Sequence, residues 1–289
     1  MVHSGLFIKL IQRKVSKIFL DIDIAMHSGL FCQVKWEDCL SEWFHLPAGV
    51  KQGGVISPDL YCIYVDGLIN ILQSLGVGCY IRKVFAAAIF YADDMAVISP
   101  SIKGLQILLN ACAEYCQEWD IKLNAKKTKN MFFGKGPAPN CQIVLHGCKV
   151  VWESTCVYLG ITLRSAKVFN CCAKNTLRKF YCSLNSIIRI EGRSDDMVML
   201  RLLETHCLPI LAYAVETLVI ANCDEKRQLR VAYNAIYRKM FGYSYRESVT
   251  LLQHSLGRMT WEELLVKRKC NFLTRCRHHS SHPLINMFC

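Results

Sequence analysis

Two adjacent aspartates, Asp93 and Asp94, lie between apolar residues in the stretch AAIFYADDMAVI, residues 87–98. Apolar runs on both sides of a short polar centre are typical of a β-hairpin, which would place both acids at its tip. Two carboxylates this close repel each other unless a cation lies beside them, and Mg²⁺ or Mn²⁺ takes such oxygen ligands. The pair therefore predicts a metal site suited to phosphoryl transfer. The alternative is a pair of solvated turn residues, because Asp favours turns.

Three further stretches lie around this hairpin in a fixed order. They are AGVKQGGVISPDLYCIYVDGL (48–68) before it, and EWDIKLNAKKTKNMFF (118–133) and VYLGITL (157–163) after it. Together with YADD, they resemble the successive motifs of reverse transcriptases. The GVKQGG loop, its following ISP and the helical C-terminal part are most similar to LINE-like retrotransposons, which lack long terminal repeats. The resemblance covers nearly the whole chain.

The resemblance implies an RNA-directed DNA polymerase, which adds deoxynucleotides to a primer 3′-hydroxyl with Mg²⁺ or Mn²⁺. The implied partners are an RNA template, a DNA primer and deoxynucleoside triphosphates. The implied fold is α+β. It comprises a partial polymerase palm at residues 1–135, a β-hairpin connection similar to a primer grip at 136–165, and an all-α thumb and C-terminal region at 166–289.

The resemblance also implies a role for individual residues around the hairpin. Asp93 would be the metal ligand, with Asp94 in support and Tyr91 near the primer terminus. Gln52 and Gly53 would lie against the incoming nucleotide and the template, where a glycine allows a base pair to approach closely.

Further implied roles lie outside the hairpin. Ser57 and Pro58 would begin the helix that supports the glycine loop. Lys127 would face the leaving pyrophosphate, where an ammonium can supply charge; the alternative is a solvated lysine in a charged loop. Tyr158, Leu159 and Gly160 would form the turn that holds the primer strand.

A palm of this family needs a further aspartate, on a strand before the glycine loop, to bridge both metals. Val2 and His3 resemble the end of that motif, so the aspartate is expected just before Met1. Asp21 and Asp23 are the acids that could replace it, but they lie too close to the loop for the family's spacing. We therefore expect a truncated polypeptide that is inactive or impaired. The alternatives are a nucleic-acid-binding remnant without turnover and the poorly folding product of a decayed reading frame.

The composition indicates an ordered, basic protein. Lys and Arg outnumber Asp and Glu by 35 to 23, and 52% of the residues are hydrophobic, which excludes a disordered chain. The net charge of +12 suits a polyanion partner, with an ordinary soluble basic protein as the alternative. The N-terminus does not have the pattern of a secretory signal, and no apolar run is long and clean enough to span a membrane. An intracellular protein is predicted, whose 17 cysteines are reduced and mostly small core residues.

The periodicity of apolar residues predicts the elements that position these side chains. Amphipathic helices are predicted at 5–20, at 59–76 between Pro58 and Gly76, and within 99–124. Strands are predicted within 31–46, near 130–133 and within 141–163, and a surface break at 134–140. From residue 166 onward the pattern is helical, with segments at 167–191, 195–221 and 224–242, a buried helix at 207–221, and helical turns within 248–276.

Two features of the C-terminal part have alternative interpretations. The basic residues Arg178, Lys179, Arg189, Arg193 and Arg201 could contact a duplex backbone or form the solvated face of a helical bundle. The final stretch contains Cys270, Cys276, His278, His279, His282 and Cys289, residue types that bind zinc. Their spacing fits no finger or knuckle pattern, so a basic tail is the alternative.

Overall fold

The computed structural model describes residues 1–51, 53–191, 195–278 and 285. The chain divides into two compact units. The first consists of Met1–Asn130 with Asn140–Val151, and the second of Met131–Pro139 with Trp152–Cys289. The predicted α+β class is confirmed, because both units combine helices with small antiparallel sheets.

The helices of the first unit are α1 (His3–Gln12), α2 (Lys17–His27), α3 (Ser57–Ser74) and α4 (Ile102–Glu118). A single helix over residues 5–20 was a wrong prediction. The chain breaks at Lys14, which adopts a left-handed φ of +55°, and α2 starts after Ser16, whose hydroxyl accepts a hydrogen bond from the Phe19 N–H. The prediction for α3 is confirmed, with Pro58 in its first turn and Gly76 at φ +66° just past its end.

The strands of the first unit pair only as two-stranded antiparallel sheets among the described residues. The sheets are β1 (Phe31–Cys32) with β4 (Phe44–His45), β2 (Lys35–Trp36) with β3 (Cys39–Leu40), β5 (Tyr80–Ile81) with β6 (Val84–Phe85), β7 (Ala88–Tyr91) with β8 (Asp94–Val97), and β9 (Ile143–Leu145) with β10 (Cys148–Val150). The hairpins predicted within 31–46 and 87–98 are confirmed. The strand predicted near 130–133 is not formed; Asn130 is instead held by the carbonyls of Val150 and Val151.

The core of the first unit lies between its helices. Leu6 and Leu10 of α1 pack against Leu60 and Tyr64 of α3. A second cluster joins α3 to α4 and contains Leu68, Leu72, Leu108, Ala111, Cys112 and Tyr115. Cys112 and Cys116 are 0% and 2% exposed, so these two thiols lie in the core, one helical turn apart on α4.

The second unit combines one three-stranded sheet with a set of helices. The sheet has the order β11 (Thr155–Tyr158), β12 (Ile161–Arg164), β13 (Asn170–Cys172). The helices are α5 (Lys174–Glu191), α6 (Asp196–His206), α7 (Leu208–Ala212), α8 (Cys223–Met240), α9 (Thr250–Ser255) and α10 (Trp261–His278).

Two predictions for this unit were wrong. The region after residue 166 is not entirely helical, because β13 pairs with β12, and the Cys171 N–H donates to the Val219 carbonyl at 2.7 Å. The predicted buried helix at 207–221 is limited to α7, and Ala214 beyond it has a left-handed φ of +51°.

The cysteines also differ from the prediction. Of the 16 that the structure describes, only Cys112, Cys116, Cys171 and Cys207 are buried, whereas eight are exposed. Most of the thiols are therefore not core residues. Among the described helices, none combines the length and the apolar character needed to cross a bilayer.

Candidate functional site

The hairpin β7–β8 presents Asp93 and Asp94 at its tip. Tyr91 pairs with Asp94 across the strands, and Ala92, in a left-handed conformation at φ +49°, shares the two-residue turn with Asp93. Both acids are exposed. The inward-facing side chains Ala88, Phe90, Met95 and Val97 pack against the α3–α4 cluster. The apolar strands thus fix the hairpin, and its carboxylates remain open to a ligand.

The base of this hairpin is held by several contacts. The Ile98 N–H donates to the Ala87 carbonyl at 2.7 Å, and the Cys79 N–H donates to the Ile98 carbonyl at 3.3 Å. Gly78 has a φ of +105°, and a Cβ there would lie 2.4 Å from the Cβ of Ala87, so only glycine fits this close approach. On the other side, Met95 contacts Cys112 of α4, with 3.9 Å between the two sulfurs.

The glycine-rich loop before α3 is closed by its own hydrogen bonds. The Ser57 hydroxyl donates to the Lys51 carbonyl at 2.8 Å, and the Gly54 N–H donates to the same oxygen at 3.0 Å. Ser57 is therefore engaged within the loop, and Pro58 follows it in the first turn of α3. Gly53 has a φ of +79° and open space where a side chain would be. Gln52 lies outside the described residues.

Tyr61, near the start of α3, lies within electrostatic range of the hairpin tip. Burial raises the pKa of the Tyr61 hydroxyl, and the negative charge of Asp93 raises it further. The start of α3 therefore lies within electrostatic range of the acidic tip. The sequence interpretation missed Tyr61, although it lies one helical turn after Ser57 and therefore on the same face of α3.

The donor set at the tip fits a hard divalent cation. Mg²⁺ is commonly held by only one or two carboxylates, with waters and substrate phosphates as its other ligands. Asp93 and Asp94 offer such oxygens. Within the described part of the chain, no group of three or more His, Cys, Asp or Glu side chains is arranged to hold a metal ion.

The two acids considered as replacements for a third ligand lie on α2, not on a strand. Asp21 is exposed, whereas Asp23 is only 1% exposed. The carboxylate of Asp23 lies 3.3 Å from Nδ1 of His27, and the His27 ring lies 5.0 Å from that of His3. Burial raises the pKa of Asp23 and lowers that of His3. Asp23 therefore belongs to a buried cluster between α1 and α2.

Nε2 of His3 links this cluster to the segment before the glycine loop. It lies 3.2 Å from the Gly49 carbonyl oxygen, and the Gly49 N–H donates to the Met1 carbonyl at 2.8 Å. The start of the loop is therefore anchored to the first turn of α1.

Lys127 lies in an exposed turn after α4. Its backbone N–H donates to Oδ1 of Asn124 at 3.1 Å and to the Asn124 carbonyl at 3.0 Å. These bonds fix the turn and leave the ammonium group in solvent.

The turn formed by Tyr158, Leu159 and Gly160 lies in the second unit, between β11 and β12. Leu159 and Gly160 both adopt left-handed conformations, with φ +45° and +76°. Two central residues of positive φ are the mark of a type I′ hairpin turn. The Leu159 carbonyl accepts a hydrogen bond from the Tyr213 hydroxyl at 2.9 Å.

The basic residues of the second unit lie on its surface. Arg178, Lys179 and Arg189 on α5 and Arg201 on α6 are exposed, and Arg193 lies outside the described residues. In the C-terminal Cys/His group, His279, His282 and Cys289 also lie outside them.

Comparison with known proteins gives the following matches. Residues 3–163 match the family described as "Reverse transcriptase (RNA-dependent DNA polymerase)". The chain is similar to the "Probable RNA-directed DNA polymerase from transposon BS" of Drosophila melanogaster, with 30% identity over 247 residues, 81% of this chain and 27% of that protein. It is also similar to the "RNA-directed DNA polymerase from mobile element jockey" of Drosophila funebris, with 25% identity over 249 residues, 83% of this chain and 27% of that protein. The chain thus spans about a quarter of the length of these relatives.

Proposed function

The chain belongs to the reverse transcriptase (RNA-dependent DNA polymerase) family of LINE-like retrotransposons, and on that premise we propose that its hairpin tip is the metal-binding site of an RNA-directed DNA polymerase. The reaction is the RNA-templated addition of a deoxynucleotide to a primer 3′-hydroxyl. The observation that carries the proposal is the exposed acid pair on a hairpin that apolar packing fixes.

Each residue has a separate task in this proposal. Asp93 and Asp94 bind the metal, while Tyr91, 65% exposed beside them, supports the primer terminus. When bound, Mg²⁺ or Mn²⁺ lowers the pKa of the attacking hydroxyl and neutralises charge on the leaving pyrophosphate. Lys127 contributes a positive charge near that pyrophosphate.

The glycine loop supplies the surface for the base pair. Gly53 leaves room for the base pair to approach closely, and Gln52 contacts the incoming nucleotide and the template. The hydroxyl of Ser57 stabilises the loop from within, since it donates to the Lys51 carbonyl. Pro58 fixes the start of the helix behind it.

The remaining parts bind nucleic acid. Residues 1–135 act as part of a palm, 136–165 as the connection with the primer-holding turn of Tyr158, Leu159 and Gly160, and 166–289 as thumb and C-terminal region. The exposed Arg and Lys side chains of α5 and α6 contact the phosphates of an RNA template–DNA primer duplex. The net charge of +12 favours this binding.

The 289-residue polypeptide by itself is inactive or impaired as a polymerase. Two-metal chemistry depends on the position of both ions, and among the described residues Asp93 and Asp94 form no group of three or more possible metal ligands. Its charge and exposed basic side chains favour, as a second candidate, nucleic-acid binding without turnover.

Primer extension by the purified chain with Mn²⁺ or Mg²⁺ tests the enzymatic proposal. The test variant is Asp93→Ala, and the matched control is Asp38→Ala, since Asp38 is an exposed acid at a different hairpin turn. We expect weak extension by the unaltered chain and by Asp38→Ala, and none by Asp93→Ala. Equal extension by all three would contradict an enzymatic role for the tip.

Binding to a labelled template–primer duplex at several salt concentrations tests the second candidate. If the chain does not extend the primer but binds the duplex with an affinity that falls steeply with salt, binding without turnover is supported. A folded chain that shows neither extension nor binding would contradict both candidates.

A further inference from the structure

Tyr213 reaches from the end of α7 back to the turn between β11 and β12. Its hydroxyl donates a 2.9 Å hydrogen bond to the Leu159 carbonyl, across a sequence separation of 54 residues. Its ring lies over the next residue, because a Cβ built on Gly160 would be 3.1 Å from Cε1 and 3.6 Å from Cζ of Tyr213. One side chain thus contacts both central residues of the turn.

The turn has a conformation that benefits from an external contact. Leu159 is not a glycine, yet it has a φ of +45°. A left-handed conformation is unfavourable for such a residue, because its Cβ lies too close to the following carbonyl oxygen. A hydrogen bond to its carbonyl offsets part of this cost. Tyr213 therefore favours the observed turn over a relaxed one.

The backbone of Tyr213 is fixed, whereas its side chain remains accessible. The preceding residues Leu211 and Ala212 are fully buried in the core of the second unit. After it, Ala214 adopts a left-handed conformation, and its carbonyl accepts hydrogen bonds from both the N–H and the hydroxyl of Thr217. Tyr213 itself is 55% exposed. Its burial adds little to the core, so its main effect is on the turn.

We propose that Tyr213 is a positioning residue for the primer strand. The inference rests on the proposed function, in which Tyr158, Leu159 and Gly160 hold the primer. Tyr213 keeps Leu159 and Gly160 in the conformation that presents their backbone and the exposed side of the turn to the primer. Loss of the hydroxyl contact would allow other turn conformations and so weaken primer binding specifically.

The test compares Tyr213→Phe, which keeps the ring and removes the hydroxyl, with Tyr245→Phe as a matched control. Tyr245 is an exposed tyrosine of the same unit, and its hydroxyl accepts a hydrogen bond from the neighbouring Arg246. Three quantities are measured on the full chain: the dissociation constant for an RNA template–DNA primer duplex, the dissociation constant for the unprimed RNA template, and hydrogen exchange of the amides at 159–161.

For Tyr213→Phe we expect about fivefold weaker binding of the primed duplex and about fivefold faster exchange at the turn, as the loss of one hydrogen bond predicts. Binding of the unprimed template should stay unchanged and the melting temperature should fall by no more than a few degrees, as the loss of one hydrogen bond predicts. Tyr245→Phe should match the unaltered chain throughout.

Two results would overturn the inference alone. The first is unchanged exchange at the turn, which would show that the hydroxyl does not hold it. The second is faster exchange with unchanged binding of the primed duplex, which would show that the turn does not serve the primer. If the unaltered chain binds no duplex at all, the proposed function fails, and faster exchange in Tyr213→Phe would then give Tyr213 a structural role only.

Discussion

Arg164 of β12 donates a 2.7 Å hydrogen bond to the carboxylate of Glu225, a residue of α8 that is only 3% exposed and lies 61 positions further along the chain. The second carboxylate oxygen of Glu225 accepts a 2.9 Å bond from the N–H of Ala173, between β13 and α5. A single buried side chain therefore joins the sheet of the second unit to two of its helices.

Replacement of Glu225 by glutamine should destabilise the second unit. The glutamine amide has one acceptor oxygen instead of two and carries no negative charge. It therefore cannot accept both hydrogen bonds on separate oxygens, and Arg164 loses its ionic partner. We expect the free energy of unfolding to fall by about 2–3 kcal/mol, which urea denaturation would measure. Asp224→Asn is the control, since Asp224 and its partner Arg227 are exposed and such pairs contribute little. An equal loss in both variants would contradict the central role of Glu225.

The same carboxylate should make stability depend on pH. Burial alone raises the pKa of Glu225, but the Ala173 N–H and the Arg164 guanidinium outweigh it and lower the pKa below the ordinary 4.5. Its contribution to stability is therefore complete above the unfolded-state pKa and is lost as the pH falls through the lower folded-state pKa. The stability difference between the unaltered chain and Glu225→Gln, measured by urea denaturation at a series of pH values, should shrink on acidification below 4.5. A constant difference would contradict this sign.

The glycine loop should tolerate no side chain at position 54 unless Ser57 is shortened. A Cβ on Gly54 would lie 2.6 Å from Oγ of Ser57, the atom that donates to the Lys51 carbonyl. We expect Gly54→Ala to destabilise the first unit by roughly 1–3 kcal/mol, as overpacking does, and Ser57→Ala by about 1 kcal/mol through its lost hydrogen bond. The double variant should lose less than the sum, because the closest contact disappears with the hydroxyl and only the 3.1 Å approach to the Lys51 carbonyl remains. Additive losses in thermal denaturation would show that the two residues do not interact.

Metal binding at the hairpin tip can be measured without turnover. Electron paramagnetic resonance of Mn²⁺ should show a site on the chain whose affinity drops by about tenfold or more in Asp93→Asn. Replacement of a residue that only hydrogen-bonds to a metal ligand already weakens metal binding by about this factor. Asp38→Asn should leave it unchanged. Similar affinities in both variants would indicate that Mn²⁺ binds elsewhere.

Local patterns in the sequence were sufficient for some of this structure. The alternation around Asp93 and Asp94 predicted the hairpin, and Pro58 and Gly76 predicted the limits of α3, because strand period, proline and left-handed glycine act within a few residues. The acid pair and the order of the surrounding stretches were also enough to indicate the family. The assigned roles of the site residues stay predictions.

Contacts between distant segments decided the rest. A helix pattern continued across Lys14, yet the chain turns there so that α1 and α2 can bury Asp23, His27 and His3 together. β13 forms because β12 on one side and Val219 on the other satisfy its backbone, which no local pattern encodes. The effect of the Asp93 charge on the pKa of Tyr61 and the bond from Tyr213 to Leu159 likewise join separate elements, so only the tertiary structure could reveal them.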